Sequence, residues 1–579
     1  MHSTPQSSMT HLRVALKSLR MVAFWIAVIT FVVFIPALRN GFVSWDDGTN
    51  LVANPNFRGF SWPNLKWMWT NHLLSHYVPL TWMTFGLDYV IWGRNSLGYH
   101  LTNVVLHALN AGLFYLLSLA LFQRPNAGKT PFHAGRAVAG AAFAALLFSL
   151  HPLRVESVAW VTERRDVLSG FFFLLALLEY LRAVDADRVR FVRNYTASFV
   201  FFILAVLSKE IGVVLPAVLL LLDVYPLRRL SLNPLEWLSG SSRLVVLEKV
   251  PFFAASAAFS LMTLEVGMKN HLLPSASTLG WDERIAITAY ALAFYLLKTL
   301  IPVNLAPLYA LAPRNMSFSL PVIVASAVIL SIAAAAILLR RRFPGLLIVL
   351  LIYIITLLPV SGILQNGAQV AADRYTYLAC LGWSLLAGLA FASLLGALDS
   401  RPARALAVSA ALAVFLFLSW LTQSQIRVWL NSETLWSRAV AVAPSSIAYE
   451  NLASARFSEG DAVGAIELYR RAIGMSPRDA VAHVGLGTAL LDLRRWDEAT
   501  RELRLAAELG PKLPLAYSGL GHALMMQGKL DEAIVQLQRA VQLKPEDQDL
   551  HVKLERALAL RQNQKQGPVL DPPARPHEP

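Results

Sequence analysis

Apolar residues are not spread evenly along this chain. Between residues 21 and 422 they gather in blocks of roughly 14 to 24, and after Gln423 the pattern turns charged and amphipathic. A bilayer core needs about 20 apolar residues per helix. The blocks predict eleven spans, at 21–38, 99–122, 137–150, 167–184, 194–208, 211–227, 250–267, 317–339, 344–360, 376–397 and 403–422. Met21–Leu38 is long for a signal-peptide core and lacks a small-residue cleavage site, so it reads as a retained first span. Ile285–Ile301 is apolar but short, with Asp282, Glu283, Arg284 and Lys298 at its ends. It reads as an interfacial or re-entrant helix.

The region beyond Gln423 carries a second period. Pro444, Pro477, Pro511 and Pro545 are spaced 33, 34 and 34 residues apart. Ala465, Ala499 and Ala533 recur in one phase, as do Ala472, Ala506 and Ala540; Leu452, Leu486 and Leu520 recur with Ala455, Ala489 and Ala523. A 34-residue helix–turn–helix with small residues at close-approach points is the tetratricopeptide signature. Trp436 and Ala439 mark half of a leading repeat, and Leu550–Leu560 a capping helix. The predicted class is all-α: a polytopic transmembrane bundle at 1–427, a tetratricopeptide α-solenoid at 428–561, and a disordered Pro- and Gln-rich tail at 562–579.

Charge gives this pattern a direction. The net charge of +14 suggests nucleic acid, but topology accounts better for the basic residues. They cluster in alternate loops: Arg13, Lys17 and Arg20; Arg124, Lys129 and Arg136; Arg182, Arg188, Arg190 and Arg193; Arg228, Arg229, Arg243 and Lys249; Arg340–Arg342; and Arg401 with Arg404. With eleven spans all of these lie inside, as the positive-inside rule requires. The N-terminus is then cytoplasmic, and the repeats are periplasmic or luminal. The single cysteine, Cys380, excludes a disulfide framework within the chain.

The predicted outer loops hold the candidate chemistry. Asp46 and Asp47 follow the first span closely, and adjacent carboxylates can prepare one of the two as a general base. The second outer loop, 151–166, contains Arg154, Glu156, Glu163, Arg164, Arg165 and Asp166. Arginines there suit a lipid-linked phosphate, with ion pairing to Glu156, Glu163 and Asp166 as the alternative. Lys209-Glu210 forms the whole link between two apolar runs, where a charged pair needs partners or a cavity. Arg374 adds a cation that could steady a phosphate leaving group. The six tryptophans of loop 39–98 read mostly as an interfacial aromatic belt. Neither GxxxxGK[ST] nor a strand-linked GxGxxG occurs, so an activated donor has to come from elsewhere.

These residues carry a family likeness. FVSWDDGTNLVANPNFRG (42–59) and HYVPLTWMTFGLDYVIWGRNSLGYHLTNVVLHALNAGLF (76–114) resemble the transmembrane and tetratricopeptide-repeat O-mannosyltransferases. So do HPLRVESVAWVTERRDVLSGFFFLLALLEY (151–180), LSKEIGVVLPAVLLLLDVYPL (207–227) and DRYTYLA (373–379). The resemblance implies a GT-C fold and a polyprenyl-phosphate sugar as donor. It implies a catalytic base at Asp46 or Asp47, with Glu156, Arg164, Arg165, Asp166, Lys209 and Arg374 around donor phosphate and acceptor. Relatives often carry Trp or Arg just before the Pro-Leu-Thr, where this chain has Tyr77-Val78, and Lys in place of Arg165. A divalent metal is compatible with this reading, and nothing in the sequence requires one. The expected partners are a lipid-linked sugar, the cytoplasmic membrane, and a protein acceptor brought by the repeats. Two rivals are a membrane-anchored repeat scaffold and a transferase acting on glycans or lipids.

Overall fold

The computed structural model describes residues 5–124, 133–269, 280–310, 319–363 and 369–566. Lys129, parts of the loops expected outside, and the expected tail from residue 567 lie outside the described residues. The chain divides into two compact units, Met1–Leu435 and Trp436–Pro579.

The first unit is a helix bundle, as the apolar blocks predict. Helix ends in such a bundle must satisfy their own backbone groups. Asn95 does so for Ser96–Phe122, accepting from the Leu97 N–H at 3.1 Å, and Ser400 does so for Arg401–Ile426, accepting from Ala403 at 3.2 Å.

All eleven expected spans fall on helix, but not all are long. Seven helices among the described residues have the length and composition to cross a bilayer, and nine if each bent pair counts once. The bent pairs are Ala134–Ser149 with Pro152–Ala159 (55°) and Asp373–Ala379 with Leu381–Ala397 (58°). The other two are shorter: Pro344–Val360, and Leu215–Val224 after the tight turn Glu210–Val214. Three of these four shortened spans lie beside charged candidate residues, Glu156, Lys209 and Arg374. Length is given up there to polar backbone, helped by Pro152 and Pro216.

The apolar block at 285–301 forms the helix Trp281–Leu300. At one end Arg284 donates to the Ile363 carbonyl at 2.8 Å and Thr288 to that of Ser361 at 2.9 Å. At the other, Thr299 lies 3.3 Å from Cys380 Sγ, and its carbonyl is 3.1 Å from His151 Nε2. One end therefore contacts Ser361 and Ile363, and the other Cys380. The all-α prediction missed a small ribbon, in which Tyr309–Ala310 pairs antiparallel with Gln369–Ala371.

Small residues set a close helix contact in the bundle. A Cβ placed on Gly140 would lie 2.7 Å from the Gly388 carbonyl and 2.8 Å from the Ala392 Cβ; one on Gly388 would lie 2.8 Å from the Ala144 Cβ. Close approach of this kind holds apolar helices together through packing alone. Gly388→Val should therefore destabilise the protein by about 1–3 kcal/mol, read as a lower melting temperature in detergent. An unchanged melting temperature would mean that these helices do not approach so closely.

The second unit is an array of helix pairs. Ala465, Ala499, Ala533, Ala472, Ala506 and Ala540 are all fully buried, and the phased leucines pack beside them. Asp461 and Asp479 cap their helices by accepting from Gly464 at 2.8 Å and Val481 at 3.1 Å. The last helix, Gln548–Gln566, buries Leu550 and Ala557 and runs five residues past the expected end of the repeat domain.

Candidate functional site

The site is built from four turns that join helices of the first unit. The first holds the two aspartates. Its strand-like start is tied down by Gly41 N–H to the Leu430 carbonyl (2.9 Å) and Ser44 N–H to Ser432 Oγ (2.7 Å). Trp45 stacks on Trp160 at 4.9 Å, and Trp160 on Trp429 at 5.6 Å. This three-ring stack fixes the residue just before Asp46.

The adjacent aspartates face different surroundings. Asp47 is buried and accepts three hydrogen bonds: from Val43 N–H at 3.1 Å, Thr162 N–H at 3.0 Å and Thr162 Oγ1 at 2.6 Å. Burial pushes its pKa up to about 6 against the lowering effect of those bonds. Asp47 thus ties the first turn to the second. Asp46 is half-buried. Burial raises its pKa, while Arg165, Arg374 and His76 pull it back and Glu163 pushes it further up. Asp46 is therefore the carboxylate that faces the charged cluster.

Glu163 is the centre of that cluster. It is 1% exposed, and three cations converge on it: Arg165 at 2.5 Å, Lys209 at 2.7 Å and Arg374 at 3.6 Å. Lys209 also binds Asp166 at 2.8 Å, and Asp166 accepts from Ser157 Oγ at 3.0 Å. Arg374 pairs with Glu156, which also accepts the Arg374 backbone N–H at 3.1 Å. The Arg374 guanidinium lies over the rings of Tyr375 (4.9 Å), Trp160 (5.5 Å) and Trp45 (6.0 Å). Beside the cluster, Glu210 Oε1 lies 3.3 Å from His76 Nδ1 and accepts the Tyr77 N–H at 3.1 Å.

Most of the residues proposed from sequence therefore come together: Asp46, Glu156, Arg165, Asp166, Lys209 and Arg374. Arg164 does not. It is fully buried, with Asp88 2.5 Å from Nη1, Asn103 2.8 Å from Nε and the Tyr99 carbonyl 2.7 Å from Nη2. Helix Arg164–Val184 starts at this residue, and successive positions on a helix point about 100° apart. Arg165 takes the cluster side, so Arg164 braces the neighbouring helices instead. Arg154, also expected outside, is 2% exposed over the rings of Phe148 and Tyr377.

The cluster holds the ion pairs that the sequence offered as an alternative to phosphate binding. Each cation is matched to a carboxylate. Among the described residues, no three His, Cys, Asp or Glu side chains gather as a metal would need. The six tryptophans of the first outer loop differ in exposure. Trp62, Trp69 and Trp92 are exposed, whereas Trp45 stacks in the site and Trp67 and Trp82 pack around Phe57 and Met68.

His76, Glu210 and Trp45 were not assigned to the site from sequence. The one available signal was Glu210, a carboxylate in a two-residue link between apolar runs that had to find a partner somewhere. The partner, His76, lies 134 residues away.

Comparison with known proteins adds identity to this geometry. Models described as tetratricopeptide repeat match residues 430–480, 456–523 and 514–547. The human protein O-mannosyl-transferase TMTC1 is 28% identical over 508 residues, covering 79% of this chain and 55% of that protein. The Caenorhabditis elegans protein O-mannosyl-transferase F38B6.6 is 24% identical over 467 residues, covering 78% and 62%. The Xenopus laevis protein O-mannosyl-transferase tmtc2 is 36% identical over 172 residues, 28% of this chain and 18% of that protein. Along most of its length this chain is similar to protein O-mannosyl-transferases. Its C-terminal unit is a tetratricopeptide array. The chain spans about half the length of the human relative.

Proposed function

We propose that this chain is an inverting integral-membrane glycosyltransferase that moves a sugar from a polyprenyl phosphate to Ser or Thr hydroxyls of envelope proteins. The observation that carries the reading is Asp46, a half-buried carboxylate set against cations delivered by three separate turns. Asp46 takes the acceptor proton as the acceptor oxygen bonds to the sugar's anomeric carbon. The bond from that carbon to the phosphate oxygen breaks on the opposite side, and its electron pair leaves with the phosphate. Arg165, Lys209 and Arg374 are held in position by Glu163, Asp166 and Glu156, so the developing charge meets donors that need no reorganisation.

The relatives' names supply mannose as the sugar and protein as the acceptor, and both enter this proposal from there. The repeats select the acceptor, as concave solenoid surfaces do for extended partners. The alternation of basic loops orients the site toward the periplasm or lumen, with the N-terminus in the cytoplasm.

Mass spectrometry of envelope proteins and lipids from a deletion strain tests the reading. Loss of a hexose from Ser or Thr peptides is the expected result. An unchanged glycoproteome with altered lipid or polysaccharide would move the acceptor to another class. Full complementation by Asp46→Asn would favour a non-enzymatic scaffold.

A further inference from the structure

The site contains an ionisable ring to which the mechanism above gives no task. His76 follows the short turn Leu73–Ser75, and its Nδ1 lies 3.3 Å from Glu210 Oε1. Glu210 is fixed independently by the Tyr77 N–H at 3.1 Å, so the carboxylate is a rigid anchor for the ring. Burial raises the pKa of Glu210, but the His76 ring and Arg165 outweigh it and hold the group at about 2, so it is a carboxylate. A protonated His76 ring would also act on Asp46, so the ring borders the same cluster. The His76 side chain is 31% exposed, and its Nε2 takes part in no hydrogen bond among the described residues.

These contacts separate His76 from the cations of the cluster. Lys209, Arg165 and Arg374 each lie against Glu163, deep in the cluster. His76 is held at one nitrogen only among the described residues. The charged groups around it are Glu210 from the turn after Arg188–Ser208, Asp46 from the first turn, and Arg165, which acts on both carboxylates. His72 stacks on the neighbouring Tyr77 ring at 5.1 Å.

We propose that His76 is a second catalytic residue. Anchored through Nδ1–H by Glu210, the ring donates Nε2–H to an oxygen of the departing polyprenyl phosphate while Asp46 receives the acceptor proton. With hydrogen on both nitrogens the ring is a cation, and it keeps its proton through the step. The bond formed is acceptor oxygen to anomeric carbon, and the bond broken is anomeric carbon to phosphate oxygen. Glu210 is the positioning residue. This rests on the transferase reading above and extends it by naming the mobile contact to the leaving group.

The test uses the full-length protein in lipid nanodiscs with polyprenyl-phosphate mannose and a Ser/Thr acceptor peptide. His76→Ala is expected to lower kcat by roughly a hundredfold, with a much smaller change in the donor KM. Free imidazole in the buffer should restore part of that loss, and His76→Lys should keep more activity than His76→Gln. Glu210→Gln should fall between His76→Ala and the wild type, and added imidazole should not rescue it. A wild type that transfers sugar beside a His76→Ala variant within twofold of it would overturn the assignment. So would a loss that neither imidazole nor lysine recovers in a protein with an unchanged melting temperature. Should His76→Ala fail to fold, the comparison of Lys with Gln decides. A wild type that transfers no sugar defeats the transferase reading itself, and this assignment with it.

Discussion

Asp46→Asn should abolish sugar transfer, lowering kcat by about a hundred- to ten-thousandfold, without lowering thermal stability. A base must be unprotonated to work. Burial raises the pKa of Asp46, so the acidic limb of the pH–rate profile should lie above the ordinary aspartate range, with activity lost as pH falls through it. The sign for stability is the reverse. A carboxyl whose folded pKa is raised contributes stability in its protonated form, below the unfolded pKa, and loses that contribution as pH rises through the folded value. At neutral pH the ionised Asp46 is therefore a burden on the fold, and the neutral amide should leave the melting temperature equal or higher.

Asp47→Asn should behave in the opposite way. One oxygen of Asp47 takes the Val43 N–H, and the other takes the Thr162 N–H and hydroxyl. An amide NH2 in place of either oxygen faces a buried N–H and leaves it unpaired, at about 1–3 kcal/mol. Activity should then fall with stability, in parallel. Transfer rates and unfolding curves of the two variants check this. An active Asp46→Asn beside an inactive but fully stable Asp47→Asn would exchange the two roles.

The repeats could be read from sequence because their evidence is local. A proline ends each second helix and an alanine sits at each close approach, so one 34-residue period contains the information for the whole pair. Bundle helices were readable in position but not in length, since hydropathy does not register a chain that bends at Pro152 or breaks into the turn Glu210–Val214. The charged candidates were readable as a set, because ionisable groups at the ends of apolar runs need partners. Their roles were not. Whether Arg164 or Arg165 faces the cluster depends on the residue at which the helix starts, and neither composition nor motif spacing gives that phase. The separation of Asp46 from Asp47 depends on Thr162, which lies 115 residues from Asp47.

Glu163→Gln should be the most destabilising single substitution in the site. Glu163 is 1% exposed and is the one carboxylate shared by Arg165, Lys209 and Arg374. Neutralising it leaves three cations close together with Glu156, Asp166, Asp46 and Glu210 to offset them. Removing one partner of a buried ion pair costs about 3–5 kcal/mol, because the remaining charge stays desolvated and unpaired. A surface glutamate with one partner would lose at most about 1 kcal/mol on the same change. If the penalty comes from stranded positive charge, removing a cation as well should reduce it. Lys209→Met in the Glu163→Gln background should therefore be more stable than Glu163→Gln alone, although Lys209→Met by itself is destabilising. Unfolding of the two single variants and the double variant in detergent measures this coupling directly. Additive losses would mean that Glu163 and Lys209 act independently and that the cluster is not organised around Glu163. A positive coupling without transfer activity in the double variant would separate the two tasks of the cluster: charge balance maintains the fold, and the full set of cations is needed to receive the phosphate.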